Sequence, residues 1–99
     1  MSDKLDPIHP GDILRTEYME PAQLSANALA TALDVTPGRI NDIVRGRRGI
    51  TADTALRLAR YFGTSAQYWL NLQNDYELEV AEDRAGYEIE QRVTPRSVA

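Results

Sequence analysis

Cysteine is absent from the 99 residues, and histidine, tryptophan and phenylalanine occur once each. Without thiols there are no disulfide staples and no cysteine-based zinc site, and a lone His9 does not supply the ligands of a structural zinc cluster. No stretch approaches the roughly 20 apolar residues of a membrane span. Residues 1–10 (MSDKLDPIHP) lack the apolar core of a signal peptide, so a cytoplasmic chain that touches no membrane is expected. No segment alternates apolar and polar residues long enough to suggest a sheet. Candidate nucleophiles and acid–base pairs are also missing. Ser25 and Ser65 stand at helix starts with no His or Lys nearby in sequence, and the carboxylates have no apolar setting that would raise a pKa. These absences leave no basis for a metal, a cofactor, a small-molecule substrate or an enzyme, and a small hydrolase is the weakest of the functional classes.

What remains are signals for one all-α domain, punctuated into five helical segments. Pro10 and Gly11 open the first; Ile8, Ile13, Leu14 and Tyr18 recur at helical spacing until Pro21 stops it. Ser25 can cap the second, whose apolar stripe is Ala28, Leu29, Ala32 and Leu33, and Asp34 marks its end. Thr36 followed by Pro37 starts the third, with Ile40, Ile43 and Val44 facing inward and Gly46 as terminator. The fourth begins after Thr51 and runs through Ala55, Leu56, Leu58, Ala59 and Phe62 to Gly63. Ser65 caps the fifth, where Tyr68, Trp69, Leu72, Tyr76 and Val80 follow a spacing of three or four. Tyr61, Phe62, Tyr68, Trp69 and Tyr76 are assigned to core or interface in preference to a ligand pocket, and a buried Trp69 needs an acceptor for its indole N–H. Past Ala81 the chain is polar and holds Gly86 and Pro95, so a domain over 1–81 followed by a loosely packed tail or short extra element over 82–99 is expected.

The net charge of −4 conceals a strong asymmetry. From Thr36 to Arg60 six arginines stand against Asp42 and Asp53, a balance of +4; from Asn74 to Glu90 Arg84 stands against seven carboxylates, a balance of −6. Residues 1–22 add −3 from Asp3, Asp6, Asp12, Glu17 and Glu20 against Lys4 and Arg15. A basic middle between acidic flanks can face nucleic acid whatever the overall sign.

The basic middle coincides with a motif. The second and third segments are joined by very few residues, and Leu29, Ala30, Leu33, Val35, Ile40 and Ile43 fall where a helix-turn-helix over about 25–46 clamps two helices at a steep angle. Asp34 occupies the turn position of positive φ, where glycine is commonest. With Ile40, Ile43 and Val44 inside, the outer face of the third helix carries Thr36, Gly38, Arg39, Asn41, Asp42 and Arg45. Arg39 and Asn41 suit bidentate contacts to guanine and adenine, Asp42 can accept from cytosine, Thr36 suits thymine or phosphate, and Gly38 permits close backbone approach. Arg45, Arg47 and Arg48 belong beside phosphates, and Ser25, Asn27 and Thr51 are assigned with them. The alternatives are two packed helices with no ligand, or an interaction module that has lost DNA binding, for which the acidic total speaks.

The segments HPGDIL and LSANALATALDVTPGRINDIVRGRRGITADTALRLARYFGTSAQYWLNLQNDYEL, within residues 9–78, resemble the Cro/repressor-like (XRE-type) helix-turn-helix proteins and, among them, HigA-type antitoxins. The resemblance implies a five-helix fold, a homodimer joined through the C-terminal region, an inverted-repeat operator in the protein's own promoter, and inhibition of a ribonuclease toxin. Since the acidic fifth helix must avoid DNA, the dimer contact is expected at Tyr76, Leu78 and Val80 with some residues of the tail over 82–99, a candidate dimerisation element. The acidic flanks, Glu17 and Glu20 on one side and Glu79, Glu82 and Asp83 on the other, are the expected toxin-binding residues. A plain XRE-type transcriptional regulator without a toxin partner fits the same motif.

Overall fold

The structure, a computed structural model, describes residues 6–97, and among them every regular element is helical. α1 (Pro10–Ile13) runs directly into a π-helical stretch, Leu14–Met19, in whose wider turn Glu20 N–H reaches the Arg15 carbonyl at 2.9 Å. α2 (Ala26–Leu33), α3 (Pro37–Val44), α4 (Ala52–Phe62) and α5 (Ala66–Arg92) follow.

The helix starts lie where side-chain acceptors stand. Ser25, Thr36, Thr51 and Ser65 each accept an N–H from the residue three positions on, at 3.0, 3.3, 3.4 and 3.0 Å. These bonds satisfy donors that a helix leaves without internal partners. His9 caps α1 in the same way, its Nδ1 accepting Gly11 N–H at 2.9 Å. Asp34 ends α2 in the left-handed region at φ 58°, and Val35 N–H closes back on the Ala30 carbonyl at 3.0 Å. Gly11 has a different task. A Cβ there would run into the Ile43 carbonyl, so α1 approaches the backbone of α3 more closely than any side chain allows.

Leu14, Leu29, Ile40, Ile43, Leu58 and Trp69 are fully buried and join all five helices in one core. Trp69 donates its indole N–H to Thr64 Oγ1 at 2.7 Å, the acceptor that its burial demanded. Tyr18 fills the angle between α4 and α5, with ring centroids 4.8 Å from Trp69 and 5.0 Å from Phe62. Burial and a hydrogen bond with Tyr18 push the Tyr68 phenol up to about 12, so it stays protonated as a packing group. Tyr76 is separate from this cluster and meets the edge of His9 at 4.8 Å. Tyr61, Leu56 and Ile8 are exposed: α4 turns Thr54, Ala55 and Leu58 inward, and Ile8 precedes the first helical turn.

The expected break after Ala81 does not occur. α5 continues without interruption to Arg92, 27 residues in all, or about 40 Å, and the molecule measures 54 × 35 × 21 Å. Gly86 costs about 1 kcal/mol relative to alanine inside a helix, but Ala81, Glu82, Arg84, Ala85, Glu88 and Glu90 around it are good helix formers or neutral. A Glu88–Arg92 pair at 3.8 Å adds one i,i+4 contact. Termination comes at Val93, two residues ahead of Pro95, whose ring disfavours helical geometry at Thr94. No helix of the described residues is long and apolar enough to cross a membrane.

Candidate nucleic-acid interface

α3 is amphipathic across its width. Ile40 and Ile43 are fully buried, Val44 is half-buried, and Thr36, Gly38, Arg39, Asn41, Asp42 and Arg45 keep contact with solvent. The exposed face is ordered by short bonds. Thr36 Oγ1 holds the first turn, and Asn41 Nδ2 donates to the Pro37 carbonyl at 3.1 Å, which lays its amide along the helix. Gly38 has open space where a Cβ would stand, so nothing inside the molecule requires glycine there.

Arg39 is aimed by a residue from another helix. Its Nη1 donates to Asp53 Oδ2 at 2.8 Å, and Arg57 Nε donates to the same oxygen at 2.9 Å. Those hydrogen bonds, Arg57 first and Arg39 second, hold the Asp53 carboxyl below the usual carboxylate range. Arg57 also reaches the end of α2: Nη1 donates to the Leu33 carbonyl at 2.8 Å and to the Asp34 carbonyl at 3.1 Å. One guanidinium therefore caps α2, braces the turn and shares the carboxylate that orients Arg39.

At the far end of α3, Asp42 gathers the two loop arginines. Its carboxylate lies 3.6 Å from both Arg47 Nη2 and Arg48 Nη2, and its carbonyl accepts their backbone N–H groups at 2.8 and 3.2 Å. A carboxylate so placed draws the two arginines together and shapes the basic arm from within the chain. Arg45, at the C-cap, and Gly46, at φ 75°, turn the chain into that arm. Ser25 and Thr51 sit at the first turns of α2 and α4 with hydroxyl lone pairs already engaged, and Asn27 is exposed beside Ser25. Helix N-termini of this kind present N–H groups and positive dipole ends to anions.

The acidic residues fall into two settings. Glu17 and Glu20 are exposed on and just after the π-helical stretch, and Glu20 is paired with Arg15 at 2.7 Å. Glu79 lines a groove of about 470 Å³ between the N-terminal segment and α5, with Asp6 and Asp75 at its rim and Ile8, Ile13, Leu72 and Tyr76 as apolar floor. Glu82 and Asp83 are exposed further along α5. Asp3 and Lys4 lie outside the described residues. Of the three residues assigned to a dimer contact, Leu78 is exposed and Tyr76 and Val80 are half-buried.

Residues that sequence reasoning missed are Asp53 and Arg57 as organisers of Arg39, and Gln73. The first two lie 14 and 18 positions from Arg39, and no local pattern links them. Gln73 did carry a signal: it stands one turn beyond Trp69, a polar residue on the buried stripe.

The helix-turn-helix family matches residues 17–69 of the chain. Virulence-associated protein I of Dichelobacter nodosus is 64% identical over 80 residues, 81% of this chain and 74% of that protein. Antitoxin HigA-1 of Vibrio cholerae is 32% identical over 75 residues, 76% of this chain and 70% of the relative. Among solved structures, the antitoxin HigA of Pseudomonas aeruginosa with the higBA promoter has a TM-score of 0.89 at 52% identity, over 92% of this chain and 99% of that one. A helix-turn-helix match over more than half the chain, joined to this similarity in sequence and fold, places the chain in the XRE-type helix-turn-helix family, on its HigA-type branch.

Proposed function

We propose that this chain is the antitoxin of a toxin–antitoxin pair, which represses its own operon as a homodimer on an inverted repeat and neutralises a ribonuclease toxin. The observation that carries the proposal is the outer face of α3: an open Gly38 beside an oriented Arg39, continued by an arginine arm drawn together at Asp42. The Pseudomonas relative of similar fold was solved with promoter DNA, which supports the same use of this face here. Arg39, Asn41 and Thr36 then meet base edges, while Arg45, Arg47, Arg48, Ser25, Asn27 and Thr51 meet phosphates.

One helix-turn-helix reads only a few base pairs, so two copies with recognition helices about 34 Å apart are required. The distal half of α5 suits the contact. Leu78, Ala81, Ala85 and Ile89 recur at helical spacing on one side of α5, so of the three residues assigned to the contact Leu78 belongs to this stripe, while Tyr76 and Val80 lie on the opposite side of the helix. For the toxin, the groove below Glu79 supplies what charge alone lacks, an apolar floor with an acidic rim facing a cationic surface.

Binding to the promoter at several salt concentrations tests the DNA half. Arg47→Ala and Arg48→Ala should each flatten the log–log salt slope by about 0.9, and Arg39→Ala should relax base preference. Gly38→Leu should hold or raise the unfolding midpoint, because leucine is the better helix former and has open space there, and it should remove operator binding; retained binding would contradict the docking of α3. Leu78→Asp should shift light scattering from dimer to monomer. Co-expression with the neighbouring gene product tests the other half: operator binding without rescue of growth would make the chain a plain regulator.

A further inference from the structure

Thr54 and Gln73 are the buried polar side chains among the described residues, and Gln73 lies on the first half of α5, 7% exposed. Its amide is used at both ends. Oε1 accepts the buried Ile50 N–H at 2.7 Å, and Nε2 donates to Glu77 Oε2 at 2.7 Å. Gly49 is pressed against this amide, for a Cβ there would stand 2.8–2.9 Å from its carbon, oxygen and nitrogen. Such contact is closer than a side chain at 49 permits, so glycine lets the loop settle on the amide.

The segment held in this way runs from Gly46 to Thr51 and carries Arg47 and Arg48. It is fastened twice. Asp42 takes the N–H groups of both arginines at the start, and Gln73 takes that of Ile50 at the end. Between the fastenings the two guanidinium groups remain exposed. A loop ordered before binding gives up less entropy when each charge meets its phosphate.

We infer that Gln73 is a positioning residue for DNA binding: it touches no DNA, but it fixes the loop that presents Arg47 and Arg48 to the phosphate backbone. The inference rests on the assignment of those arginines as phosphate contacts. Without an acceptor from α5 the Ile50 N–H would be buried and unpaired, and the loop would shift to bring it to water. The arginines would then reach the duplex only in a fraction of loop conformations.

The test measures operator affinity against salt, with thermal unfolding of the same samples, for four proteins: the wild type, Gln73→Met, the swap Gln73→Glu with Glu77→Gln, and Arg47→Ala with Arg48→Ala. Methionine keeps the length and apolar contacts but offers no acceptor for Ile50. The swap keeps a carboxylate oxygen for Ile50 N–H and a donor from position 77. Expected is a salt slope reduced by about one to two units in Gln73→Met, approaching that of the double arginine variant, and restored in the swap. If the arginine variant flattens the slope and folded Gln73→Met does not, the inference is overturned while the phosphate assignment stands. An unchanged slope in the arginine variant would instead remove the assignment itself. A swap that leaves the slope low means the loss came from packing and also overturns the inference. Should Gln73→Met fail to fold, Gly49→Ala, whose added Cβ would push the loop and the Gln73 amide apart while leaving both residues' chemistry in place, tests the same fastening, and its slope decides by the same criterion.

Discussion

The helix-turn-helix and the distal half of α5 are both helical, yet they are built in opposite ways. α2 and α3 have eight residues each, too short to persist alone in water, and their ends are tied down. Ser25 and Thr36 cap the starts, Asp34 takes the left-handed turn, and Arg57 closes the end of α2 from another helix. From Tyr76 to Arg92, α5 instead relies on length, helix-forming residues and few contacts, with Leu78 62%, Tyr87 79% and Ile89 52% exposed. A part stabilised by tertiary packing presents a rigid face, as recognition of a rigid duplex requires. A self-supporting helix with an uncovered apolar stripe is suited to a partner that supplies the missing side.

Four substitutions probe this contrast. Trp69→Ala, at the fully buried junction of the bundle, should lower the unfolding free energy by about 3–5 kcal/mol in urea denaturation. A loss below about 1 kcal/mol would mean that the bundle is not what holds the short helices. Arg57→Ala removes the cap of α2 and one partner of Asp53 together, so a loss of about 1–3 kcal/mol is expected, with weaker discrimination of operator bases. An affinity and specificity equal to wild type would show that Arg39 needs no orientation.

His9→Ala should cost about 1 kcal/mol through the lost cap of α1, and it should change the response to acid. Burial lowers the His9 pKa, opposed in part by the Asp12 charge, so the folded state favours the neutral ring whose Nδ1 accepts from Gly11. The contribution is complete above the unfolded value of about 6.5 and declines as the pH falls through the lower folded value. Urea midpoints at pH 7.5 and 5 should therefore differ more for the wild type than for the variant; equal differences would remove His9 from the acid response. The smallest effect is expected at Tyr87→Ser. This ring lies on the side of α5 away from the Leu78–Ile89 stripe, and its loss should change stability by no more than about 0.5 kcal/mol. A larger loss would mean that the distal helix is packed in solution against something on that face.

Local chemistry is what the amino-acid sequence determined by itself. A serine or threonine before a helical run, an aspartate in a turn of positive φ, and apolar residues three and four apart act over one or two turns. The five segments, the motif over residues 25–46 and the outer face of α3 are therefore legible in the order of residues alone. The helix beyond Ala81 is not legible in this way, because Gly86 and its polar neighbours weaken a pattern that rests on apolar spacing, whereas helix continuation there depends on propensity and i,i+4 pairs. Only the tertiary structure decided what residues far apart do to one another. Asp53 aims Arg39 from 14 positions away, Gln73 holds Ile50 from 23, and Gly11 is required by the Ile43 carbonyl. The physical reason is that a hydrogen bond or a steric limit acts over about 3 Å of space, and distance along the chain says nothing about it until the helices have packed.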